Sequence, residues 1–221
     1  MASKQLSLHH LIQFPTSRQS TDADSLHPTI LALHGRGSHE EDLIGLASYL
    51  PSDLLWISPR APLPVGPNSF EWYRVRVIGR PEPEHVMAAL GTIDHFINEI
   101  FSTYPIDPRK FFLLGFSQGS ILSMCYTLQH PSRIAGVIAQ SGYIPNGMDL
   151  EIDEAGIKNK PFLLTHGLQD TMIPVDWGRR SRDLLQKLGV DPTYYELQMG
   201  HEVSTESLSV IATWLTEQLR K

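Results

Sequence analysis

The sequence has little of several features that mark particular classes of protein. Cys125 is the only cysteine among 221 residues, so no disulfide can form within the chain, and a reducing compartment is favoured. No apolar run reaches the roughly 18 residues that a membrane-spanning helix needs. The opening stretch, Met1–Phe14, is interrupted by polar residues and lacks the apolar centre of a signal peptide. Together these absences predict a soluble cytoplasmic protein.

Blocks of charge and metal-binding motifs are also missing. The 18 basic and 24 acidic residues give a formal net charge of −6 and are interspersed, which argues against nucleic acid or an anionic membrane as the main partner. The sequence contains no C-x-x-C, no H-E-x-x-H and no G-x-x-x-x-G-K. We therefore expect no metal and no cofactor, and a small molecule as the partner.

What the chain does have is a regular alternation of short apolar segments and segments with helical periodicity. This alternation predicts an α/β fold with a mainly parallel sheet and helices on both faces. The length and the 41% apolar content favour one domain over residues 1–221, without a large separate cap domain. An edge strand is expected at residues 6–14, with polar loops over residues 15–28 and 143–160. Further strands are expected at Ile30–Leu33, Leu54–Ile57, Phe111–Leu114, Ile134–Ala139, Phe162–His166 and Thr193–Leu197, and helices over Leu43–Leu50, Val86–Ile100, Ile121–Leu128, Trp177–Leu188 and Leu208–Leu219.

One segment between these elements differs in composition. Residues 59–83 hold six of the sixteen prolines and the aromatic residues Phe70, Trp72 and Tyr73. A long excursion of this kind in a compact domain is usually functional or disordered, and its aromatic residues lead us to interpret it as a flap over a substrate pocket. The three aromatic side chains suit an acyl or aryl group, and core packing is the alternative.

The motif that organises the chain is Gly115-Phe116-Ser117-Gln118-Gly119, which follows an apolar segment and precedes a helical pattern. A G-x-S-x-G sequence in this setting predicts a sharp strand-to-helix turn with Ser117 held at its apex as a nucleophile. A side chain at Gly115 or Gly119 is expected to collide with the neighbouring strand or helix. The alternative is an ordinary glycine turn in which Ser117 caps the helix.

A serine nucleophile needs a base to take its proton. His201 follows the last predicted strand and precedes the last helix, and it is the expected base. His130 ends the helix after Ser117, and we interpret it as a surface residue. His166 comes before the expected acid, which breaks the usual order of serine, acid and histidine.

The base in turn needs a carboxylate that orients it. Asp170 lies on the loop after the penultimate predicted strand and is the expected acid. Asp176 is its rival, but its position just before a helix suggests an N-cap. Asp149 and Asp153 fall in a polar loop and are expected to be solvated.

The oxyanion of a tetrahedral intermediate needs backbone donors. We expect these to be the N–H groups of Gln118 and of Arg36, which lies in the turn His34-Gly35-Arg36-Gly37. His34 is interpreted as a structural residue of this turn rather than a second base. The Arg36 side chain is expected to face solvent, and contact with an acidic substrate is the alternative.

Taken together, these motifs resemble the phospholipase/carboxylesterase family of α/β-hydrolases, which includes small bacterial carboxylesterases and the acyl-protein thioesterases. The resemblance spans roughly residues 28–220. It implies hydrolysis of carboxylic esters or thioesters by a triad of Ser117, Asp170 and His201, without metal or cofactor, and it also implies a homodimer. The motifs that carry it are Leu33-His34-Gly35-Arg36-Gly37, Gly115-Phe116-Ser117-Gln118-Gly119, His166-Gly167-Leu168-Gln169-Asp170-Thr171-Met172-Ile173-Pro174 and Gly200-His201-Glu202-Val203-Ser204.

The expected function is cleavage of carboxylic esters with small to medium acyl chains through an acyl-enzyme at Ser117. A lysophospholipase or acyl-protein thioesterase is the alternative within the family. An alternative of another class is a non-catalytic ligand-binding homologue, although a binder has no need of an intact serine, acid and histidine. Two departures from the family pattern leave the substrate open, because Arg36 stands where members often carry an apolar residue and Ser120 replaces a frequent third glycine.

Overall fold

The main feature of the structure, a computed structural model that describes residues 6–16 and 25–221, is a sheet of seven strands. Two further strands, β4 and β5, form a separate hairpin. Numbered in chain order, the strands of the described residues are β1 His10–Gln13, β2 His27–Leu33, β3 Leu55–Pro59, β4 Leu63–Gly66, β5 Ser69–Glu71, β6 Ile106–Phe116, β7 Gly136–Gln140, β8 Phe162–Gly167 and β9 Thr193–Leu197. The order across the large sheet is β1-β3-β2-β6-β7-β8-β9. Its neighbours pair in parallel except β1, which runs antiparallel to β3 at the edge.

Six α-helices connect the strands within the described ranges. They are α1 Glu41–Ile44, α2 Pro83–Thr103, α3 Gln118–Gln129, α4 Glu154–Ile157, α5 Val175–Lys187 and α6 Thr205–Leu219. Over the part of the chain that the structure describes, none of these helices combines the length and the apolarity needed to span a bilayer.

The core lies on both faces of the sheet. Successive residues of a strand point to opposite faces, so Leu31 and Leu33 of β2 pack in one cluster with α2, α3 and α5. Ile30 and Ala32 pack in a second cluster with α1 and α6. The central strands are therefore covered twice, which explains their continuous apolar sequences. The predicted sheet with helices on both faces is confirmed.

The carboxyl ends of the parallel strands carry the polar residues singled out above. Ser117 follows β6, Asp170 follows β8, His201 follows β9 and His34 follows β2. Parallel strands end at one edge of the sheet, and α/β proteins place their sites there.

The predicted helix over Leu43–Leu50 is wrong in type. The α-helix ends at Ile44, and a 3₁₀ turn continues over Gly45–Tyr49. Gly45 is a poor residue for the interior of an α-helix, and its position explains the break. Leu46, expected on the buried face, is only half-buried.

The predicted polar loops are only partly confirmed. Residues 17–24 of the first loop lie outside the described residues, and β2 already begins at His27. The second loop contains the short helix α4, whose N-cap is Asp153. The Asp153 carboxylate accepts a hydrogen bond from the Gly156 N–H at 2.8 Å, so this side chain is a cap rather than merely solvated.

Helix α6 packs through different residues from those predicted. Ile211 and Leu215 are buried as expected, but Leu208 and Leu219 are only half-buried. Trp214 fills the core instead, with its ring 6.3 Å from that of Phe112. A large aromatic side chain can cover the area of two partly exposed leucines.

Residues 59–83, named the flap here, include the antiparallel hairpin of β4 and β5. The hairpin is attached to the loop after β2 by two backbone hydrogen bonds. The Phe70 N–H donates to the Ser38 carbonyl at 2.9 Å, and the Gly37 N–H donates to the Phe70 carbonyl at 2.7 Å. These bonds fix the hairpin of the flap beside the edge where the polar residues gather.

Candidate active site

Ser117 occupies a strained turn between β6 and α3. Its φ of 52° and ψ of −115° lie in a region that non-glycine residues rarely adopt. A Cβ at Gly115 would overlap the Gly119 carbonyl oxygen, and a Cβ at Gly119 would overlap the Leu33 carbonyl oxygen. The predicted collisions at both glycines are confirmed, since one meets the helix and the other meets β2.

The structure brings Ser117, His201 and Asp170 together in a chain of two hydrogen bonds. His201 Nε2 lies 2.9 Å from Ser117 Oγ, and His201 Nδ1 lies 2.7 Å from Asp170 Oδ2. A carboxylate only accepts hydrogen bonds, so Nδ1 carries the proton and Nε2 is free to accept from the serine hydroxyl. The Phe116 ring packs on the imidazole, with 4.9 Å between ring centroids.

Asp170 is held by the backbone of its own loop. Its side chain is fully buried, and Oδ1 accepts hydrogen bonds from the N–H groups of Met172 at 2.9 Å and Ile173 at 2.8 Å. These bonds leave Oδ2 directed at His201. A buried carboxylate that accepts several backbone hydrogen bonds is fixed in orientation.

His166, the histidine that broke the expected order, lies behind the acid. It is buried, its Nε2 donates to the Ile173 carbonyl at 2.8 Å, and the same nitrogen is 3.6 Å from Asp170 Oδ2. Burial lowers the pKa of His166, so the ring is neutral. The structure thus brings His166 to the loop that carries Asp170. His130 is half-buried at the end of α3.

Asp176 is not the helix cap that its position suggested. Pro174 is the N-cap of α5, and Asp176 lies in the first turn of that helix. Its side chain is 73% exposed and accepts a hydrogen bond from Arg179 at 2.7 Å. The negative charge near the helix N-terminus is favourable without any capping bond.

The turn after β2 lies against Ser117. A Cβ at Gly35 would be 3.3 Å from the Ser117 Cβ, and Arg36 and Gln118 line the same cavity as Ser117. His34 is fully buried, donates from Nδ1 to the Gly35 carbonyl at 2.8 Å and accepts from the Ala61 N–H at 3.0 Å. Burial lowers the pKa of His34. Both ring nitrogens are occupied by backbone groups, which is the geometry expected of a structural residue of this turn.

The Arg36 side chain does not simply face solvent. Its Nε donates to Glu71 at 2.8 Å, and this carboxylate is buried while the guanidinium is half-exposed. The pair links the turn after β2 to the end of the flap hairpin. Sequence spacing gave no sign of it because the partners are far apart along the chain.

A cavity of about 180 Å³ opens beside Ser117. Of the three aromatic residues expected there, only Tyr73 lines it. Trp72 is buried and donates from Nε1 to the His34 carbonyl at 2.9 Å, and Phe70 lies under the Arg60 guanidinium at 4.7 Å. The walls are mostly apolar, and the lining consists of Gly35, Arg36, Tyr73, Val75, Ile78, Gly79, Pro81, Phe116, Ser117, Gln118, Ile121, Tyr143, Met172, Ile173 and His201.

Sequence reasoning missed the Gln118 side chain. Its Oε1 accepts from the Trp72 N–H at 2.7 Å, and its Nε2 donates to the Tyr73 carbonyl at 2.7 Å. It missed Tyr143 as well, although a residue just after the carboxyl end of β7 is in a position typical of site residues. Burial raises the pKa of Tyr143 to about 12.

With this geometry in hand, the chain can be compared with known proteins. The model of the Phospholipase/Carboxylesterase family matches residues 19–219. This chain belongs to the phospholipase/carboxylesterase family. The family and the ester-hydrolase class predicted from the motifs are therefore confirmed.

Relatives of this family member include hydrolases of two kinds. Acyl-protein thioesterase 1 homolog 1 of Dictyostelium discoideum is 26% identical over 87% of this chain and 91% of its own length. Carboxylesterase SOBER1 of Arabidopsis thaliana is 27% identical over 86% of this chain and 90% of its own length. The family thus includes carboxylesterases and thioesterases of similar length.

Solved structures of α/β-hydrolases superpose on this family member over nearly all of its length. The Bacillus cereus carboxylesterase has a TM-score of 0.81 at 20% identity and covers 96% of this chain and 95% of its own. The esterase PE8 has a TM-score of 0.80 at 27% identity, with 95% and 98% covered. The predicted α/β-hydrolase fold is confirmed.

The serine that replaces the family's frequent third glycine is accommodated by a neighbouring glycine. Ser120 is fully buried, and a Cβ at Gly142 would lie 2.6 Å from the Ser120 Cβ. Gly142 therefore supplies the room that Ser120 takes.

One group of acidic and histidine side chains could approach a metal ion. Within the described residues, the donor atoms of Glu82, Glu84 and His85 lie within 4.8 Å of one another at the start of α2. All three are at least partly exposed, and none lines the cavity beside Ser117.

Proposed function

We propose that this protein is a serine hydrolase that cleaves carboxylic esters of small to medium acyl chains through an acyl-enzyme at Ser117. The observation that carries the proposal is the hydrogen-bonded chain from Ser117 through His201 to Asp170 at the wall of an apolar cavity. A hydroxyl, a base and an orienting carboxylate in this order are the requirement for activating a serine.

In the proposed reaction, Ser117 Oγ attacks the ester carbonyl carbon while His201 Nε2 takes its proton. Asp170 holds the imidazole and stabilises the positive charge that forms on it. His201 then gives the proton to the departing alcohol, which leaves an acyl group on Ser117. Water, deprotonated by His201, then attacks the acyl carbon. The bond from that carbon to Ser117 Oγ breaks, the carboxylic acid leaves, and His201 returns the proton to Ser117 Oγ.

The N–H groups of Arg36 and Gln118 are the proposed donors to the oxyanion. Their residues line the cavity together with Ser117, and Gln118 begins α3, where free N–H groups and the helix dipole favour negative charge. Loss of one such donor typically costs about 3–4 kcal/mol of transition-state stabilisation.

The cavity supports a substrate of limited size. Its volume of about 180 Å³ is below the roughly 300–1,000 Å³ of sites for drug-sized ligands. Side chains such as Val75, Ile121 and Ile173 offer apolar contacts to an acyl chain. A short or medium chain fits this description better than a long one.

The chain length of the substrate can be tested with p-nitrophenyl esters from acetate to palmitate. We expect kcat/KM to reach its maximum at a short or medium acyl chain and to fall for the longest. A maximum at the longest chains would instead support the alternative, a lysophospholipase or an acyl-protein thioesterase. The similarity to an acyl-protein thioesterase homolog is the observation that favours the thioesterase. Hydrolysis of thioesters is measured with acyl-coenzyme A substrates and a reagent that detects the released thiol.

The alternative function, that of a non-catalytic ligand-binding homologue, is tested by removing the proposed nucleophile. We expect Ser117→Ala to lower kcat by at least about 10³-fold while the unfolding transition stays cooperative. If the purified, folded wild type has no more esterase activity than Ser117→Ala, the proposed hydrolase is wrong and a non-catalytic ligand-binding homologue becomes the better description.

Three further properties belong to this proposal. A single domain over residues 1–221 is supported by the continuous sheet from β1 to β9. A cytoplasmic location is supported by the lone Cys125, which is buried. A homodimer is supported by the family resemblance, and light scattering of the purified protein tests it.

A further inference from the structure

A second groove adjoins the cavity beside Ser117. The two spaces share Gly79, Pro81 and Tyr143 in their walls. The second groove has a volume of about 480 Å³, and its remaining lining residues are Arg80, Ile144, Asn146, Trp177 and Arg180. No part of the reaction described above uses it.

The charges in this groove are of one sign. Arg80 and Arg180 line it, no carboxylate does, and neither arginine forms an ion pair within residues 6–16 and 25–221. Arg36 and Arg76, in contrast, form ion pairs with Glu71 and Glu82. An unpaired, single-sign site in a chain of net charge −6 is suited to an anion.

The wall that carries the two cations is well packed. A Cβ at Gly79 would overlap the Trp177 ring, and its φ of +83° suits glycine. The Trp177 ring also packs edge-on against Tyr143, with 4.9 Å between centroids. The Arg180 guanidinium lies 5.8 Å from the Trp177 ring centroid, a cation–π contact that limits its positions.

We propose that this groove binds an anionic group, a carboxylate or a phosphate, at the far end of an ester whose reacting carbonyl lies at Ser117. The two guanidinium groups provide planar donors that match such anions, and the Asn146 side chain at the rim offers a further donor. The inference rests on the proposed function, because it names the chemistry of the substrate that the same site would cleave.

The test compares esters that differ only in a distal charge. On the acyl side, mono-p-nitrophenyl esters of linear dicarboxylic acids are paired with neutral p-nitrophenyl esters of the same chain length. On the alcohol side, acetate esters of phenols that carry a distal carboxylate or phosphate are paired with the uncharged phenyl esters. We expect the anionic ester to have the higher kcat/KM in the acyl-side pairs, the alcohol-side pairs or both. This preference should be present only when the chain between the ester and the charge exceeds a minimum length. The pairs that show it identify the part of the substrate, acyl or alcohol, that enters the groove.

The variants Arg80→Gln and Arg180→Gln should each lower the anionic-to-neutral ratio of kcat/KM by about three- to tenfold, and the double variant by more. Arg76→Gln on the flap and Arg182→Gln on α5 are matched controls, because neither residue lines the groove, and they should leave the ratio unchanged. Raising the ionic strength from about 0.05 to 0.5 M should reduce the preference in the wild type. An equal rate for anionic and neutral esters of every length, or a ratio that the controls lower as much, would overturn the inference.

A binding measurement separates this inference from the proposed hydrolysis. Calorimetric titration of Ser117→Ala with monomethyl adipate and with methyl hexanoate needs no turnover, and the two esters differ only in the distal carboxylate. We expect monomethyl adipate to bind at least about threefold more tightly and to lose this advantage when Arg80→Gln and Arg180→Gln are added to Ser117→Ala. If neutral esters are hydrolysed but monomethyl adipate has no advantage, the anion site is wrong while the hydrolase stands. If monomethyl adipate has the advantage but no ester is hydrolysed, the anion site stands and the hydrolase is wrong.

Discussion

The turn around Ser117 and the flap lie on two sides of one cavity, yet they are specified in different ways. In the turn, Gly115 and Gly119 are required by backbone atoms that touch them, so a short local motif determines the geometry. In the flap, Trp72 and Tyr73 are held by the side chain of Gln118, which is far from them along the chain. The geometry of the turn around Ser117 is thus determined by a short local motif, whereas the shape of the cavity depends on contacts between residues far apart in the sequence.

The two regions meet at Gln118. Its backbone N–H is a proposed oxyanion donor, and its side chain satisfies the buried N–H of Trp72 and the carbonyl of Tyr73. Gln118 therefore connects the turn around Ser117 to the wall of the pocket. Substitutions on each side of this connection should have effects of different kind and size.

The largest effect is expected for the acid. Asp170→Asn should lower kcat by about 10⁴-fold, because an amide in place of Oδ2 favours the wrong tautomer of His201. Asp176→Asn, whose carboxylate bonds to Arg179 on the surface, should change kcat less than about twofold. Steady-state hydrolysis of a short p-nitrophenyl ester measures both, and a larger loss in Asp176→Asn would transfer the role of acid to that residue.

The next largest effect concerns the local backbone of the turn. Gly119→Ala should destabilise the protein by about 4 kcal/mol or more, because its Cβ would overlap the backbone of β2 and neither backbone can move without loss of packing. Gly91→Ala is the matched control, since Gly91 lies on an exposed face of α2 with nothing within 4 Å of its Cβ, and it should stabilise by about 0.5–1 kcal/mol. Urea unfolding measures both free energies. Equal stability of the two variants would show that the turn tolerates a side chain.

A smaller effect is expected where the flap is anchored. Gln118→Leu keeps the backbone N–H of residue 118 but leaves the Trp72 N–H and the Tyr73 carbonyl without their partner, at a cost of about 2–3 kcal/mol in the free energy of unfolding. Gln129→Leu at the end of the same helix should cost less than about 0.5 kcal/mol. Urea unfolding of both proteins distinguishes them, and the anchor has no energetic role if the two substitutions cost the same.

The smallest effect concerns pH. Burial lowers the pKa of His34 and His166 from the ordinary value of 6.5. Below pH 6.5 the unfolded chain binds protons that the folded protein excludes, so the free energy of unfolding falls with decreasing pH until the lowered pKa is reached. Each histidine contributes at most about 1.4 kcal/mol per pH unit. Urea unfolding between about pH 5 and 7.5 should show a smaller slope in His166→Gln than in wild type, and equal slopes would refute the contribution of His166.

The sequence predicted the fold and the strand-turn-helix around Ser117 better than the shape of the cavity beside it. The alternation of apolar segments and the positions of Ser117, Asp170 and His201 after β6, β8 and β9 follow from local pattern and from the topology of parallel sheets. The 3₁₀ turn after α1 was missed because helical periodicity does not distinguish it from a longer helix. The buried position of Trp72 agrees with core packing, the alternative to pocket lining. Sequence could not choose between the two, because the choice depends on the bond to the His34 carbonyl, which local sequence does not reveal.

The measurement that most directly tests the chemistry proposed for the local turn is mass spectrometry of the folded protein after treatment with a fluorophosphonate. This reagent phosphonylates a serine only when a base activates it. We predict a single adduct on the peptide that contains Ser117 in the wild type and no adduct on that peptide in Ser117→Ala. Folded wild-type protein that remains unlabelled, or an adduct on another residue, would contradict Ser117 as the nucleophile.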